Sequence, residues 1–165
     1  MIKNTLNYFS YGASRSTEMI KAIIGRKPKG FDYELKGFEL CLQTWSAIPK
    51  RVQLILKPSW GKDFKSYFIR RNHEKSVWGK VWIISTKEYK LIGNWELHNI
   101  WYKPIKMKKK IKGRIITIHT EIINDRKSKP VKDPKNYPSF PVSKKKIVSV
   151  AKKVRKEYPY VNKLK

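Results

Sequence analysis

This sequence has little of what would cross-link a fold, hold a metal or enter a membrane. Its single cysteine, Cys41, excludes an intrachain disulfide, and three histidines beside one cysteine make no zinc-binding pattern. No apolar run approaches the roughly 20 residues of a membrane span. The first residues lack the unbroken apolar core of a secretory signal peptide. We therefore expect a cytoplasmic protein with no membrane partner.

Acidic residues are also scarce, since 12 Asp and Glu stand against 39 Lys and Arg, for a net charge of +27. Residues 1–102 carry 18 cationic and 8 acidic side chains, whereas residues 103–165 carry 21 and 4. Such a field attracts polyanions, so non-specific nucleic-acid binding through a basic surface is one expected interaction. A Lys- and Ile-rich composition is equally typical of proteins from AT-rich genomes.

The chain is nevertheless rich in core-forming residues. Forty per cent hydrophobic and 13% aromatic residues predict one folded domain over residues 1–165. Alternating apolar residues predict about six strands: 6–11, 38–42, 51–57, one beginning at Val77, and a pair within 102–123 with its turn at Lys112-Gly113. Helices are predicted over 17–24 between Ser16 and Gly25, over 87–92 after Ser85-Thr86, and over 144–158. Segments 27–30, 45–50, 58–74 and 124–137 have loop composition, and 58–74 resembles an insertion or a lid.

Glu96 is the first candidate for chemistry. It lies between Trp95 and Leu97, and burial among apolar neighbours raises the pKa of a carboxyl group. A carboxyl group of that kind can transfer protons near neutral pH. The alternative is that Glu96 is solvated or paired with one of the many cations, which is the commoner situation for a lone Glu after a helix.

The first strand, loop and helix form the second candidate. Backbone N–H groups of a small-residue loop at a helix start bind carboxylate or phosphate, and here the loop is Gly12-Ala13-Ser14-Arg15-Ser16. The alternative is an ordinary strand-to-helix turn with Arg15 as a surface charge.

Motifs along the chain resemble those of the gamma-glutamylcyclotransferase-like family, which includes the gamma-glutamylamine cyclotransferases and plant AIG2-like proteins. The resemblance covers nearly the whole chain, in order. The matching segments are Tyr8-Phe9-Ser10-Tyr11-Gly12-Ala13-Ser14, Val77-Trp78-Gly79-Lys80-Val81-Trp82, Ile92-Gly93-Asn94-Trp95-Glu96 with Tyr102 after it, Pro138-Ser139 with the helix at 146–152, and Tyr160 with Leu164.

The resemblance implies an α+β fold, a small mixed β-barrel flanked by helices. It implies an enzyme that cyclises a gamma-glutamyl amine or peptide to 5-oxoproline and releases the amine, with neither metal nor cofactor. Glu96 would be the general acid/base. The substrate would be bound by Tyr11, Gly12, Ala13, Ser14 and Tyr102. For Tyr102 a role as a barrel-lining aromatic is an equal alternative, and for Tyr11 the structural role is favoured.

Departures from the family pattern keep a second function open. The family's Ser-Asn pair is Ala13-Ser14 here, its Asp before the glutamate is Gly93, and the Tyr that some members carry after Pro-Ser is absent. The alternative is a catalytically altered binding module on the same fold, using its basic surface for nucleic acid or another polyanion.

Overall fold

The computed structural model describes residues 4–158. Within that range the chain forms five strands and four α-helices. The strands are β1 (Thr5–Ser10), β2 (Lys29–Thr44), β3 (Lys65–Ser85), β4 (Lys103–Ile111) and β5 (Arg114–Ile122). The helices are α1 (Thr17–Ile24), α2 (Lys50–Leu56), α3 (Thr86–Trp95) and α4 (Lys144–Glu157). The predicted α+β class is therefore correct, and none of these helices is both long and apolar enough to cross a bilayer.

All five strands belong to one sheet in the order β2-β3-β1-β5-β4. The N-terminal strand β1 lies in the middle, antiparallel to β3 and parallel to β5, while the β2–β3 and β4–β5 pairs are antiparallel. Because β1 is central, the loop that follows it emerges from the interior of the sheet. That placement brings residues 11–16 next to the helices instead of to an outer edge.

The sheet is not a closed barrel. The first half of β3 pairs with β2, and Ile123 beyond β5 donates one backbone hydrogen bond to Ile69 of β3 at 3.2 Å. A ladder does not follow this single bond, so the described strands β2 and β4 remain the edges of the sheet. The expected barrel is thus an open sheet within the described residues.

Both faces of the sheet are buried, because successive side chains of a strand point to opposite faces. Tyr8 packs with α1 and α3 through Ile20 and Ile92, whereas the next residue, Phe9, packs with Val81 and other residues on the opposite face. The strand predicted to begin at Val77 is the second half of β3, which begins at Lys65. Each face of this strand packs against a different part of the core, Val77 and Val81 on one face and Trp82 and Ile84 on the other. This explains why apolar residues occur at both odd and even positions of the strand.

Several local signals act as predicted. Gly25 ends α1 with φ 94°, the left-handed conformation that Gly adopts at a helix C-terminus. Ser85 and Glu88 form a reciprocal capping box at the start of α3. Lys112 and Gly113 both have positive φ in the two-residue turn between β4 and β5. The amphipathic helix at the end is also confirmed as α4, although Pro159, Tyr160 and Leu164 lie outside the described residues.

Other expectations were wrong. The segment 51–57 is the helix α2 and not a strand: Val52 is buried while Leu54 is 71% exposed, so burial follows the helical period and not alternation. The segment 58–74 is no lid, since its second half belongs to β3 and buries Phe68 and Ile69. Strand β2 begins at Lys29 and is 16 residues long, so it includes the second half of the expected linker at 27–30.

Candidate active site

A cavity of about 120 Å³ lies among the C-terminal end of β1, the start of β3 and the helices α2, α3 and α4. A buried water needs only ~10–15 Å³, so the space suits a small organic molecule. Its polar lining includes Tyr11, Gly12, Ser14, Ser66, Asn94, Glu96, Tyr102 and Glu121, and its apolar lining includes Ala13, Ile55, Leu56, Trp60, Phe64, Trp101, Ile147, Val150 and Val154. All six residues that the sequence suggested for the site border this one cavity.

Glu96 is positioned by the way in which α3 ends. Its N–H donates to the Ile92 carbonyl at 2.8 Å, and the His98 N–H donates to the Gly93 carbonyl at 2.9 Å. Between them Leu97 has φ 52°, a left-handed conformation that costs a non-Gly residue about 1–2 kcal/mol. Leu97 is buried, and its packing holds this conformation. The turn thereby directs the Glu96 side chain into the cavity.

The Glu96 carboxyl group is suited to proton transfer. Its side chain is half-buried, and no protein hydrogen bond to it is formed within residues 4–158. Burial raises the pKa of Glu96 well above its usual value, and the neighbouring Glu121 carboxylate raises it further. Both effects disfavour the charged form of this group.

The loop after β1 reaches the cavity as a single 3-10 turn, Gly12–Arg15, before α1 begins. Gly12 has φ 67°, and a Cβ atom there would lie 2.9 Å from the Tyr67 ring, so only Gly fits. The Ser14 hydroxyl donates to the Tyr11 carbonyl within the turn at 3.3 Å. Ser16 precedes α1 as predicted, but its side chain makes no capping hydrogen bond.

The two candidate tyrosines are tied to the protein through their hydroxyl groups. Tyr11 donates to the Glu121 carbonyl at 2.7 Å, and the Tyr102 hydroxyl lies 2.7 Å from the Ser66 hydroxyl. Burial raises the pKa of both tyrosines, and the nearby carboxylates add to this effect. Both tyrosines therefore border the cavity as neutral side chains fixed by hydrogen bonds.

Glu121 is a site residue that sequence reasoning missed. It is 2% exposed, and its carboxylate accepts hydrogen bonds from the Tyr8 hydroxyl at 3.0 and 2.9 Å. The His98 Nε2 lies 3.0 Å from Glu121 Oε1. The sequence did contain one signal for Glu121, an acidic residue among the apolar residues Ile118, Ile122 and Ile123. The same kind of signal indicated Glu96, which lies between Trp95 and Leu97.

The His98 ring occupies space that a glycine leaves open. A Cβ atom on Gly93 would lie 2.9 Å from His98 Nδ1, which is closer than real contacts allow. Gly93 is the position at which the resembling family carries Asp. The imidazole ring of His98, from the turn that follows α3, lies against Gly93 and contacts Glu121.

Tyr137 supports the loop from outside the cavity, and nothing in the sequence indicated it. Its hydroxyl donates to the Trp78 carbonyl at 2.8 Å and lies 3.4 Å from the Gly12 nitrogen. The Arg15 guanidinium stacks 3.8 Å above the Tyr137 ring and donates to its carbonyl. Arg15 thus fixes the loop against the segment 124–143 and is not a free surface charge.

Among residues 4–158, no three His, Cys, Asp or Glu side chains are grouped as metal ligands.

Comparison with known proteins gives matches only at the level of structure. No protein-family model matches the chain, and no curated protein sequence matches it significantly. An uncharacterized human protein is similar to it with a TM-score of 0.59 and 21% identity, over 98% of this chain and 87% of the other. A gamma-glutamyl cyclotransferase has a TM-score of 0.58 and 20% identity, over 97% of this chain and 86% of its own. An Arabidopsis thaliana protein, At5g39720.1, has a TM-score of 0.53 and 14% identity, over 98% of this chain and 94% of its own. The chain therefore has the gamma-glutamyl cyclotransferase fold, as its motifs predicted.

Proposed function

We propose that this protein is a gamma-glutamylcyclotransferase-like enzyme that converts a gamma-glutamyl amine or peptide into 5-oxoproline and the free amine. One observation carries the proposal: the carboxyl group of Glu96, with its raised pKa, shares a cavity with the Tyr11–Ser14 loop. The fold of a gamma-glutamyl cyclotransferase supports it.

The reaction needs only proton transfers and good alignment. Glu96 accepts a proton from the substrate's α-ammonium group, and the resulting amine attacks the γ-carbonyl carbon of the same molecule. The new C–N bond closes the five-membered ring. The bond to the leaving nitrogen then breaks as Glu96 returns its proton to that nitrogen. The Glu96 carboxylate takes the second proton from the ring nitrogen, which becomes the lactam N–H, and passes it to the released amine, which leaves as an ammonium ion. Since nucleophile and carbonyl belong to one molecule, the enzyme has to select a conformation and does not have to bring two reactants together.

The remaining candidate residues take binding roles. The backbone N–H groups of Ala13 and Ser14 are assigned to the negative charge that develops on the γ-carbonyl oxygen, or to the substrate carboxylate, whereas the Gly12 N–H already donates to the Tyr137 hydroxyl at 3.4 Å and Gly12 serves the close approach of the loop. Tyr102 borders the same space and keeps its hydroxyl group beside Ser66. No step of the proposed reaction requires a metal or a cofactor.

The apolar half of the cavity suggests the nature of the leaving amine. Helices α2 and α4 contribute Ile55, Leu56, Ile147, Val150 and Val154 to it. An amine with an alkyl or aryl substituent gains roughly 25 cal/mol for each Å² of apolar surface it buries there, whereas a charged amino acid gains little. Val150→Ala should therefore raise KM for gamma-glutamyl alkylamides. Val148→Ala on the same helix, outside this cavity, is the matched control.

The test of activity is 5-oxoproline release from a panel of gamma-glutamyl amines and peptides. Glu96→Gln keeps the shape of the side chain but cannot accept a proton, so we expect turnover to fall by about 10²–10⁴-fold with the fold intact. Glu74→Gln, at an exposed glutamate of β3, is the control and should match the parent protein. Activity in the parent that survives in Glu96→Gln would assign the acid/base role elsewhere.

A second candidate function has one observation in its favour. The edge strand β4 exposes a row of lysines, namely Lys103, Lys106, Lys108 and Lys110. Such a row suits a polyanion. It also prevents the open edge from pairing with another chain, which is a common use of lysine on edge strands. Binding that is selective and persists at physiological salt would favour the polyanion-binding function over the enzymatic one.

A further inference from the structure

One end of the cavity is aromatic. The rings of Trp60, Phe64, Trp101 and Tyr102 follow one another along it, with neighbouring ring centroids 4.7, 6.4 and 4.8 Å apart. Successive rings are inclined at 47°, 49° and 56°, so none of these pairs is a face-to-face sandwich. Aromatic rings bind one another best in offset or edge-to-face arrangements. A further ring that enters this end can therefore contact both edges and faces of rings already in place.

The aromatic end is distinct from the end formed by the loop after β1. The Tyr67 ring lies against Gly12, whereas Phe64 is three positions earlier in the chain, a span of up to about 10 Å. Glu96 directly follows the half-buried Trp95 at the end of α3, and both border the cavity. A gamma-glutamyl compound whose glutamyl part is held by the loop extends the substituent of its leaving nitrogen towards the aromatic end.

The polar atoms of the two aromatic residues nearest to Glu96 in the sequence are already bonded. Trp101 is half-buried, and its indole Nε1 donates to Gln43 Oε1 at 2.9 Å. The Tyr102 hydroxyl contacts both the Ser66 hydroxyl and the Tyr67 carbonyl. An indole or phenol ring whose polar atom is bonded in this way offers a ligand its apolar surface. The chemistry of this end therefore matches an aromatic hydrocarbon group.

Gln43 fixes the direction of the hydrogen bond to Trp101. It is 2% exposed, and its Nε2 donates to Asp125 Oδ2 at 2.9 Å and to the Ala47 carbonyl at 3.3 Å. Burial acts to raise the pKa of Asp125, but hydrogen bonds, above all those from Ser128, outweigh this effect and lower it to about 2. The ionised carboxylate can only accept, so the Gln43 amide keeps its nitrogen towards Asp125 and its oxygen towards Trp101.

We propose that the aromatic end of the cavity binds an aromatic ring carried by the leaving amine, and that Gln43 is the positioning residue that holds Trp101 for this contact. The inference rests on the proposed function and names its substrate class, the gamma-glutamyl amines whose substituent bears an aryl ring. The glutamyl part is bound at the loop, Glu96 transfers the protons, and the aryl ring lies against Trp101.

The test measures binding separately from turnover. The Glu96→Gln protein, which should not turn over, is titrated by calorimetry with gamma-glutamyl benzylamide and with gamma-glutamyl cyclohexylmethylamide. The saturated ring is similar in size and buries at least as much apolar surface, so burial alone does not favour the benzyl compound. Contacts between aromatic rings contribute beyond buried area, and we therefore expect the benzylamide to bind about 2- to 10-fold more tightly.

Trp101→Leu in the same background should abolish this preference. Trp78→Leu is the matched control, because Trp78 is also half-buried but borders a different surface groove, and it should leave the preference unchanged. The benzyl preference in kcat/KM of the otherwise native protein should change in parallel in both variants.

Gln43→Leu tests the positioning role. It removes the acceptor of the Trp101 N–H, so we expect the benzyl preference to fall several-fold while the cyclohexylmethylamide still binds. In the Trp101→Leu background the same substitution should have no effect on the preference, because Gln43 acts through Trp101. A merely structural Gln43 would lower the Tm and leave the preference of the folded protein as it was.

The outcomes distinguish this site from the proposed reaction. Equal binding of the two compounds, or a preference that survives Trp101→Leu, overturns the aromatic site, while release of 5-oxoproline from other gamma-glutamyl compounds would leave the cyclotransferase proposal standing. A benzyl preference in a protein that releases no 5-oxoproline from any compound would support the aromatic site and refute the enzymatic function. If neither compound binds and none is turned over, both proposals are wrong.

Discussion

The packing of His98 against Gly93 predicts that adding one methyl group will have opposite effects in two backgrounds. Replacing Gly with Ala inside a helix normally stabilises a protein by up to about 1 kcal/mol. Here the new Cβ would lie 2.9 Å from His98 Nδ1 and would force the ring away from Glu121. Losing a partner of a buried carboxylate costs about 1–3 kcal/mol. Gly93→Ala should therefore destabilise the native chain by roughly 0–2 kcal/mol, the difference between these two effects.

The same substitution should be stabilising when His98 is already alanine, because the clash and the contact with Glu121 are both absent. Urea denaturation gives the free energy of unfolding of the native protein, of Gly93→Ala, of His98→Ala and of the double variant. These four values give the coupling energy between the two positions. We expect it to be about 1–3 kcal/mol. Equal stabilisation by Gly93→Ala in both backgrounds would refute the idea that Gly93 exists to admit the imidazole ring.

Two further predictions concern charge. Because the pKa of Glu96 is raised in the folded protein, the folded state holds a proton that the unfolded state releases near the ordinary value of 4.5. The contribution of Glu96 to stability is thus full below that pH and is lost as pH rises towards the folded pKa. Because Gln does not titrate, the free energy of unfolding of Glu96→Gln should exceed that of the native protein by a margin that grows between pH 5 and 8. A margin that shrinks over this range would contradict the burial of Glu96. For the basic surface, affinity for duplex DNA should fall with a log–log salt slope of about −0.9 per phosphate contact. Replacing the exposed β4 lysines with glutamine should reduce that slope, and a slope unchanged by these substitutions would assign the binding to another face.

The sequence predicted the parts of the fold that depend on neighbours in the chain. The end of α1 at Gly25, the start of α3 at Ser85 and the turn at Lys112-Gly113 follow from capping residues and from glycine geometry, which act over three or four residues. The segment 51–57 was misassigned because Arg51-Val52-Gln53-Leu54 alternates as a strand would. The helix is favoured by tertiary packing, which buries Val52 and leaves Leu54 exposed, and this packing is not visible in the local sequence.

The same division holds for the candidate site. The ordered motifs indicated Glu96 and the Tyr11–Ser14 loop, because both lie in segments that resemble a family. Glu121 is 25 positions beyond Glu96, on β5, and the two border one cavity because of how the sheet and α3 pack. Tyr137 approaches Gly12 from a loop with no regular structure. Contacts between such distant segments depend on the fold and on no local pattern.

The central place of β1 has a consequence for how the chain reaches its native state. The long hairpin of β2 and β3 can form once residues 29–85 have been synthesised. Strand β1 has no pairing partner until β3 has been synthesised, and it has no second partner until β5 has been synthesised. At about 5–20 residues per second, synthesis as far as β5 takes on the order of ten seconds, during which the apolar strand at the N-terminus is exposed to aggregation. Long-range pairing of this kind also slows folding. We expect the amides of the β2–β3 hairpin to gain protection before those of β1 in pulsed hydrogen exchange, and the reverse order would show that the N-terminal strand nucleates the sheet.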